Sequence, residues 1–387
     1  GSAWRKEKRT NIKATGSKDY KFVRIPGLSR VVGVRSNAFG AYAVAQRDCD
    51  VTKEQIHVDE STLWNDFANL LPFRGLSAAD NETGLDEPTE DPAASLGLIP
   101  KIKRAVLSSP DIESQIQPVL QADELFDSPR GTVWIMSTVS DVRIPVHEFI
   151  LTGRSPALRK AFPQFRQNYF FSIPDVLTIE YGKDGQVEVR FQGVDFLSIL
   201  NLVFFLYTDS VLDVWRGIKS TSENASRYRQ VRTEVMRIAT HLGLRTLERA
   251  ARVIIEPAKC LKIDMQHAIS DPSFFESGDV TIQLNGGCVR AHSQVMCRRC
   301  PFFDGLFHGR SGGKWLSSRR DNLVEDTITI DLKDIDPTVF DFVLRHAYAD
   351  TEEELFDEVR SESLNDFIDL VLDVMSAANE LMMDRLA

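Results

Sequence analysis

RAHSQVMCRRCPFFDGLF at residues 290–307 and PVHEFILTGRSPALRKAF at residues 145–162 are one pattern written twice. In the later stretch His292 is followed by Cys300-Pro301 and Phe307; in the earlier one His147 is followed at the same offsets by Ser155-Pro156 and Phe162. The agreement continues downstream. Val189-x-Phe191 precedes Tyr207-x-Asp209 by the interval that separates Ile330-x-Leu332 from Tyr348-x-Asp350. Val235, Met236, Ala239, Leu242 and Leu247 then recur as Val374, Met375, Ala378, Leu381 and Leu386, each 139 residues later. Solenoid modules repeat every ~20–50 residues. This unit is a whole domain.

Both copies have one internal order. A β-hairpin is expected from Val133 and Ile135 followed by Val142 and Ile144, and again from Val280, Ile282 and Leu284 followed by Val289. Asn285-Gly286-Gly287 is a turn signal, because glycine accepts positive φ without steric cost. A helix follows each histidine, and another opens at each proline, which suits a first helical turn. Phe302, Phe303, Leu306 and Phe307 give that helix an apolar face. A variable loop, a short strand, an apolar helix ending at Tyr-x-Asp and a final helix complete the unit. In the second copy the final helix has Phe367, Leu370, Val371, Val374, Ala378 and Leu381 at the spacing of a one-sided buried face. Each such side chain contributes about 1.5–3 kcal/mol on burial, before entropy is subtracted. They are expected to be core. The fold class is α+β.

A chain of 387 residues, 43% hydrophobic and 26% charged, fits two to three globular domains. The formal net charge of -10 is uneven: residues 1–50 hold 11 Lys and Arg against 4 Asp and Glu, and the rest is acidic. Phosphate binding needs clustered basic residues, so no nucleic-acid surface is expected on the repeats. The five cysteines, an odd and low count without a secretory signal, point to a reducing intracellular compartment, cytoplasmic and/or nuclear. The longest apolar run, Phe196 to Tyr207, is too short for about 30 Å of hydrocarbon, and no membrane partner is expected. Gly1-Ser2 reads as a scar of tag removal and Ala387 follows a helical pattern with no stop signal, so sequence is expected to be missing on both sides.

Ahead of the repeats, residues 20–47 read as strands through Val31, Val32, Val34, Tyr42 and Val44. Arg5, Lys6, Lys8 and Arg9 read as a solvated strand end. Residues 77–97 carry Asp80, Glu82, Asp86, Glu87, Glu90 and Asp91 with no Lys or Arg, the composition of a flexible loop. Ile102, Val106 and Leu107, then Ile112, Ile116, Val119 and Leu120, predict two short helices leading into the first repeat. The expected domains are 1–50, a β-rich fragment; 51–98, an acidic linker; 99–255, the first repeat with its leading helices; and 256–387, the second repeat.

The order hairpin, Ala291-His292 helix, Pro301-Phe302-Phe303 helix, Ile330-x-Leu332 strand and Tyr348 helix resembles a BTB (POZ) domain, and the shared offsets extend that resemblance to the divergent first copy. Arg24 to Leu28, Val31 to Val34 and Ala38 to Ala45 resemble a blade edge of an RCC1-type propeller. The whole is similar to the RCC1/BTB proteins that include the inhibitor of Bruton tyrosine kinase, and so to two BTB domains in tandem behind a propeller fragment. The resemblance implies a substrate receptor of cullin-3 ubiquitin ligases that grips the cullin with a BTB domain and presents substrate through other domains. It implies cullin contacts at Phe303 and Phe307 and at a hydrophobic-x-acidic motif in the following loop, which Leu323-x-Glu325 and Val324-x-Asp326 both fit; Ile173-x-Asp175 fits in the first copy. The alternative is a structural or transcriptional scaffold that only self-associates. BTB domains commonly pair, and a connection of about 30 residues from Leu247 to Val280 raises local concentration to roughly millimolar. An internal pseudo-dimer is therefore expected, with a homodimer as the rival.

Other chemistry is weighed against simpler roles. His292, Cys297 and Cys300, with Cys288 nearby, invite a zinc reading, but a structural site needs four converging ligands. Ser155 stands where Cys300 does, so the pattern does not need thiols there. Both histidines read as members of a buried hydrogen-bond network. Ser155 and His147 lack a matched carboxylate, and no glycine-rich phosphate loop follows a strand. No metal, cofactor or catalytic residue is expected. The acidic run from Asp350 to Glu358 reads as a solvated segment.

Overall fold

The computed structural model describes residues 2–8, 20–29, 31–36, 43–47, 61–77, 98–109, 111–121, 131–216, 225–309, 327–351, 354–357, 359 and 363–386. The chain divides into two compact units, Gly1–Asp59 and Glu60–Ala387. In the first, β1 (Ser2–Lys8) pairs antiparallel with β2 (Tyr20–Ser29), and β3 (Val31–Ser36) with β4 (Ala43–Arg47). These are two separate two-stranded sheets. Val32, Val34 and Val44 are all exposed. No closed propeller is formed by these strands, and the resemblance to a blade edge goes no further than local pairing.

The second unit begins with a segment assigned above to the linker. Residues 61–77 instead contain α1 (Leu63–Ala68) and a short 3-10 turn, Arg74–Ser77. Leu63, Phe67, Leu70, Leu71 and Phe73 are each at most 1% exposed. Acidic composition describes the residues that follow, which lie outside the described set; it does not describe these, whose apolar content is enough to fold. Next come α2 (Leu98–Ser108) and α3 (Ile112–Gln121), the two helices expected from their periodicity.

The first repeat comprises β5 (Thr132–Ser137), β6 (Ile144–His147), α4 (Glu148–Arg154), α5 (Pro156–Asn168), β7 (Phe171–Ile173), β8 (Leu177–Tyr181), β9 (Val187–Phe191), α6 (Phe196–Thr208), α7 (Ala225–Leu242) and α8 (Arg245–Val253). Then α9 (Leu261–Ile269) and a 3-10 turn, Pro272–Ser277, lead into the second repeat: β10 (Val280–Leu284), β11 (Gly287–Ala291), α10 (Ser293–Arg299), α11 (Pro301–His308), β12 (Ile328–Asp331), α12 (Pro337–Ala349) and α13 (Leu364–Glu380).

One topology serves both repeats. β5 is antiparallel to β6 and parallel to β9; β10 is antiparallel to β11 and parallel to β12. A parallel pair requires a crossover, and among the described residues two helices lie along it in each case. The first repeat adds β8 and β7 beyond β9, giving the order β6-β5-β9-β8-β7 against β11-β10-β12. The turn glycine Gly286 has φ +79°, as the tight turn requires. The long apolar run becomes α6, buried along its whole length, which is why it shows no amphipathic period.

The repeats pack directly on one another. α9 lies against both α4 and α12. The Phe149 ring is 5.3 Å from that of His147 and 5.0 Å from that of His292, so one aromatic stack crosses the seam. Gly153 lets α4 approach α9 closely: a Cβ there would lie 2.5 Å from the Met265 sulfur.

Candidate protein-interaction surfaces

The repeated residues form a polar frame inside each apolar core. The His147 amide donates to the Tyr207 hydroxyl at 3.1 Å, and the His292 amide to the Tyr348 hydroxyl at 2.8 Å. Nδ1 of each histidine lies 2.8 and 2.9 Å from the same oxygens. Each tyrosine hydroxyl thus bridges the backbone amide and the ring of its histidine. In His292 the other ring nitrogen, Nε2, lies 2.9 Å from Ser277 Oγ. Burial lowers both histidines to about 3. They are structural hydrogen-bonding groups and, so deeply buried, poor proton shuttles.

A second repeated pair was passed over in the sequence reading. Arg154 and Arg299 each stand directly before the Ser-Pro or Cys-Pro step, and each bonds the aspartate of its Tyr-x-Asp: Arg154 to Asp209, and Arg299 to Asp350 at 2.7 Å. Both aspartates end their helices in the left-handed conformation, φ +53° and +50°. Burial acts to raise their carboxyls, but the guanidinium charges and surrounding donors outweigh it, and both are held below the usual carboxylate range. Asp350 is thus 1% exposed rather than part of a solvated run. The spacing of Arg to Pro was visible in both copies and was the available signal.

The cysteines follow the same logic. Ser155 Oγ accepts from the Leu158 amide and donates to the Leu242 carbonyl at 2.7 Å; Cys300 Sγ donates to the equivalent Leu381 carbonyl at 3.5 Å. Burial pushes Cys297 up to about 12 and Cys300 up to about 11. Among the described residues no group of three or more His, Cys, Asp or Glu is placed to hold a metal ion.

The proposed contact residues fare unequally. Phe303 and Phe307 are 0% and 8% exposed, turned into the core of the second repeat; reaching a partner would require them to leave it. On that helix the partly exposed apolar residues are Phe302 and Leu306. Helical period explains the exchange, since Phe302 and Leu306 share a face about 100° around the helix from Phe303 and Phe307. Leu323, Val324, Glu325 and Asp326 lie outside the described residues. Ile173 is partly buried in β7, paired with Leu177, and Asp175 is exposed at the turn of that hairpin with φ +59°.

A surface missed by the sequence reading lies on α13. Val374, Ala378 and Leu381 are buried as expected, but Phe367, Leu370 and Val371 are only partly so. Leu364, Ile368, Leu372 and Met375, at successive helical turns, are 73%, 45%, 56% and 40% exposed. Asp366, Asp369, Asp373 and Glu380 line another face, and α13 contains no Lys or Arg. The equivalent helix α7 has Arg229 and Thr233 at the positions of Ile368 and Leu372. Exposed apolar stripes bordered by charge mark interaction sites.

Residues 273–387 match the BTB/POZ domain family. The chain therefore carries a BTB/POZ domain, a protein-interaction domain, in its second repeat. Over 400 aligned residues the chain is 24% identical to BTB/POZ domain-containing protein 1 of Schizosaccharomyces pombe, an alignment covering 99% of this chain and 27% of that protein. The chain thus spans about a quarter of the length of that curated relative. Among the described residues no helix is long and apolar enough to cross a membrane.

Proposed function

We propose that this chain is the tandem-BTB core of a cullin-3 substrate receptor, in which the second repeat docks the cullin and the first, a divergent BTB domain, serves as its internal pairing partner. The observation that carries this reading is the contrast between α13 and α7. One presents an apolar stripe with an acidic flank, and the other, at the same place in the fold, presents polar residues. Phe302 and Leu306 on α11 extend the second repeat's apolar surface, and Leu323 to Asp326 remain the candidate loop motif. The shared topology and the His–Tyr and Arg–Asp frame support a common origin for both repeats. Phe149 against His292 supports internal pairing. Catalysis would belong to the partners, with this chain supplying proximity.

Calorimetric titration with the N-terminal domain of cullin-3, with light scattering on the same samples, tests the proposal. Saturable one-to-one binding at micromolar affinity or tighter, about -8 kcal/mol or more, is expected, and Ile368→Glu with Leu372→Glu should weaken it at least tenfold without changing the circular dichroism. Charge reversal at Glu325 and Asp326 tests the loop separately. Absence of heat, with a particle of twice 43.6 kDa, would replace the proposal with a self-associating scaffold.

A further inference from the structure

We infer that residues 61–73 are a resident ligand, a short helical peptide bound in cis, and that the groove holding them is a peptide-binding site built jointly by the two repeats. The site is defined by its unusual polar floor. Asp209 and Asp350, the buried acids that end α6 and α12, each take one donor from this segment: Trp64 Nε1 reaches Asp209 at 2.8 Å, and Ser61 Oγ donates to Asp350. Arg299 supplies the opposite charge, donating to Asp66 and to Thr62 Oγ1 at 2.7 Å each. Donors three residues apart on one turn thereby touch both repeats at once.

The aromatic contacts fall on the first repeat, on α4 and α6. Phe67 packs edge-on against Phe149 with ring centroids 6.1 Å apart, and Phe73 stacks on Phe204 at 6.2 Å. The backbone takes little part in the attachment: Asn69 O accepts from Arg298 Nη2 at 3.5 Å. Among the described residues, the backbone–backbone hydrogen bonds of residues 61–73 close within residues 61–76, as in Asp66 to Thr62, Asn69 to Asn65 and Leu70 to Phe67. A segment anchored by side chains and satisfied in its own backbone is a helix laid in a groove. Six helical residues are too few to persist alone in water, so the helix exists because the groove holds it. The ligand class follows from the contacts: a short amphipathic helix offering a hydroxyl and an indole three residues apart, an acid two residues beyond the indole, and an aromatic anchor next to that acid.

Tethering gives the resident segment a local concentration on the order of millimolar, so a free peptide should not displace it from the unaltered chain. The test uses a fluorescein-labelled peptide of residues 61–73 and the full chain. Trp64→Ala with Phe67→Ala in the chain's own segment should open the site and yield saturable anisotropy at least 100-fold tighter than the unaltered chain gives. The same peptide carrying Trp64→Phe, which keeps an aromatic ring and loses the N–H, should bind that opened chain at least tenfold more weakly. Hydrogen exchange on the unaltered chain provides an arm that needs no variant. Amides of residues 66–71 should exchange through a local opening while α6 stays protected. Exchange of both only together, or no saturable binding to a folded opened chain, overturns the inference; if the opened chain is unfolded, the exchange arm decides.

Discussion

On α13 of the second repeat, Ile368 and Leu372 face solvent where α7 of the first has Arg229 and Thr233, yet beneath these helices His147 with Tyr207 and His292 with Tyr348 make the same bonds. The repeats match in their interior and differ on this exterior face. A polar group in a core fails unless its partners stay with it, so the frame survives as pairs: histidine with tyrosine, arginine with aspartate. A surface position has no such partner to satisfy. The first repeat has Arg229 and Thr233 on α7, and β7 and β8 beyond β9, around the same frame.

The sharpest way to break the comparison is to remove the aspartates. Arg154 has side-chain exposure of 0%, and its other carboxylate, Asp264, lies farther off, at 3.5 Å. Asp209→Ala strands a buried cation, which typically costs about 3–5 kcal/mol. Arg299 is almost as buried but keeps Asp66 at 2.7 Å, so Asp350→Ala should cost roughly half as much. Urea unfolding of both variants measures the difference. Equal losses would mean that Asp66 does not serve as a reserve partner and that residues 61–73 contribute less to the frame than their contacts imply.

Acid separates the repeats next. With folded values of about 3 against 6.5 in the unfolded chain, His147 and His292 are protonated first in the unfolded state as pH falls. Their contribution is fully present above pH 6.5 and is lost toward pH 3, at up to about 1.4 kcal/mol per unit for each. His147→Gln and His292→Gln should each remove about one proton from the uptake measured on unfolding between pH 6 and 4.5. The second repeat has a third such group: His346, lowered to about 4 mainly by burial, stands where the first repeat has Phe205. His346→Phe should therefore reduce the uptake as well, and an unchanged slope would place that histidine in solvent.

Much of this was legible in sequence because it rests on spacing. The hairpins, the proline-started helices, the short third strand and the two leading helices all announce themselves through period and offset, and the repeat supplied a second reading of all but the last. What failed did so for physical reasons. Phe303 and Phe307 are what the resemblance implies as contacts on this apolar helix, but only packing tells which of its apolar side chains are inside. Residues 61–77 were absorbed into an acidic neighbourhood although Leu63, Phe67, Leu70 and Leu71 have helical spacing. Arg154 and Arg299 escaped because charged residues are expected at surfaces, and their burial depends on aspartates about 50 residues away in sequence. Asp350 was misplaced for the same reason.

The finest comparison is the exchange of Ser155 and Cys300. Both cap a proline-started helix and both donate to the carbonyl that ends the final helix, but only the serine also accepts from an amide of its own helix, Leu158 at 3.1 Å. An N-cap of this kind contributes about 1 kcal/mol, and sulfur accepts weakly. Ser155→Cys should therefore cost about 1 kcal/mol, most of it the lost cap. Cys300→Ser should come near neutrality or gain a few tenths of a kcal/mol, because the new hydroxyl can cap α11 in a site already shaped for a small donor. Differential scanning calorimetry on both variants resolves shifts of this size. A loss from Cys300→Ser as large as that from Ser155→Cys would mean that the second repeat has packed around sulfur's greater volume, and that the two caps, though they occupy one position in the fold, have ceased to be interchangeable.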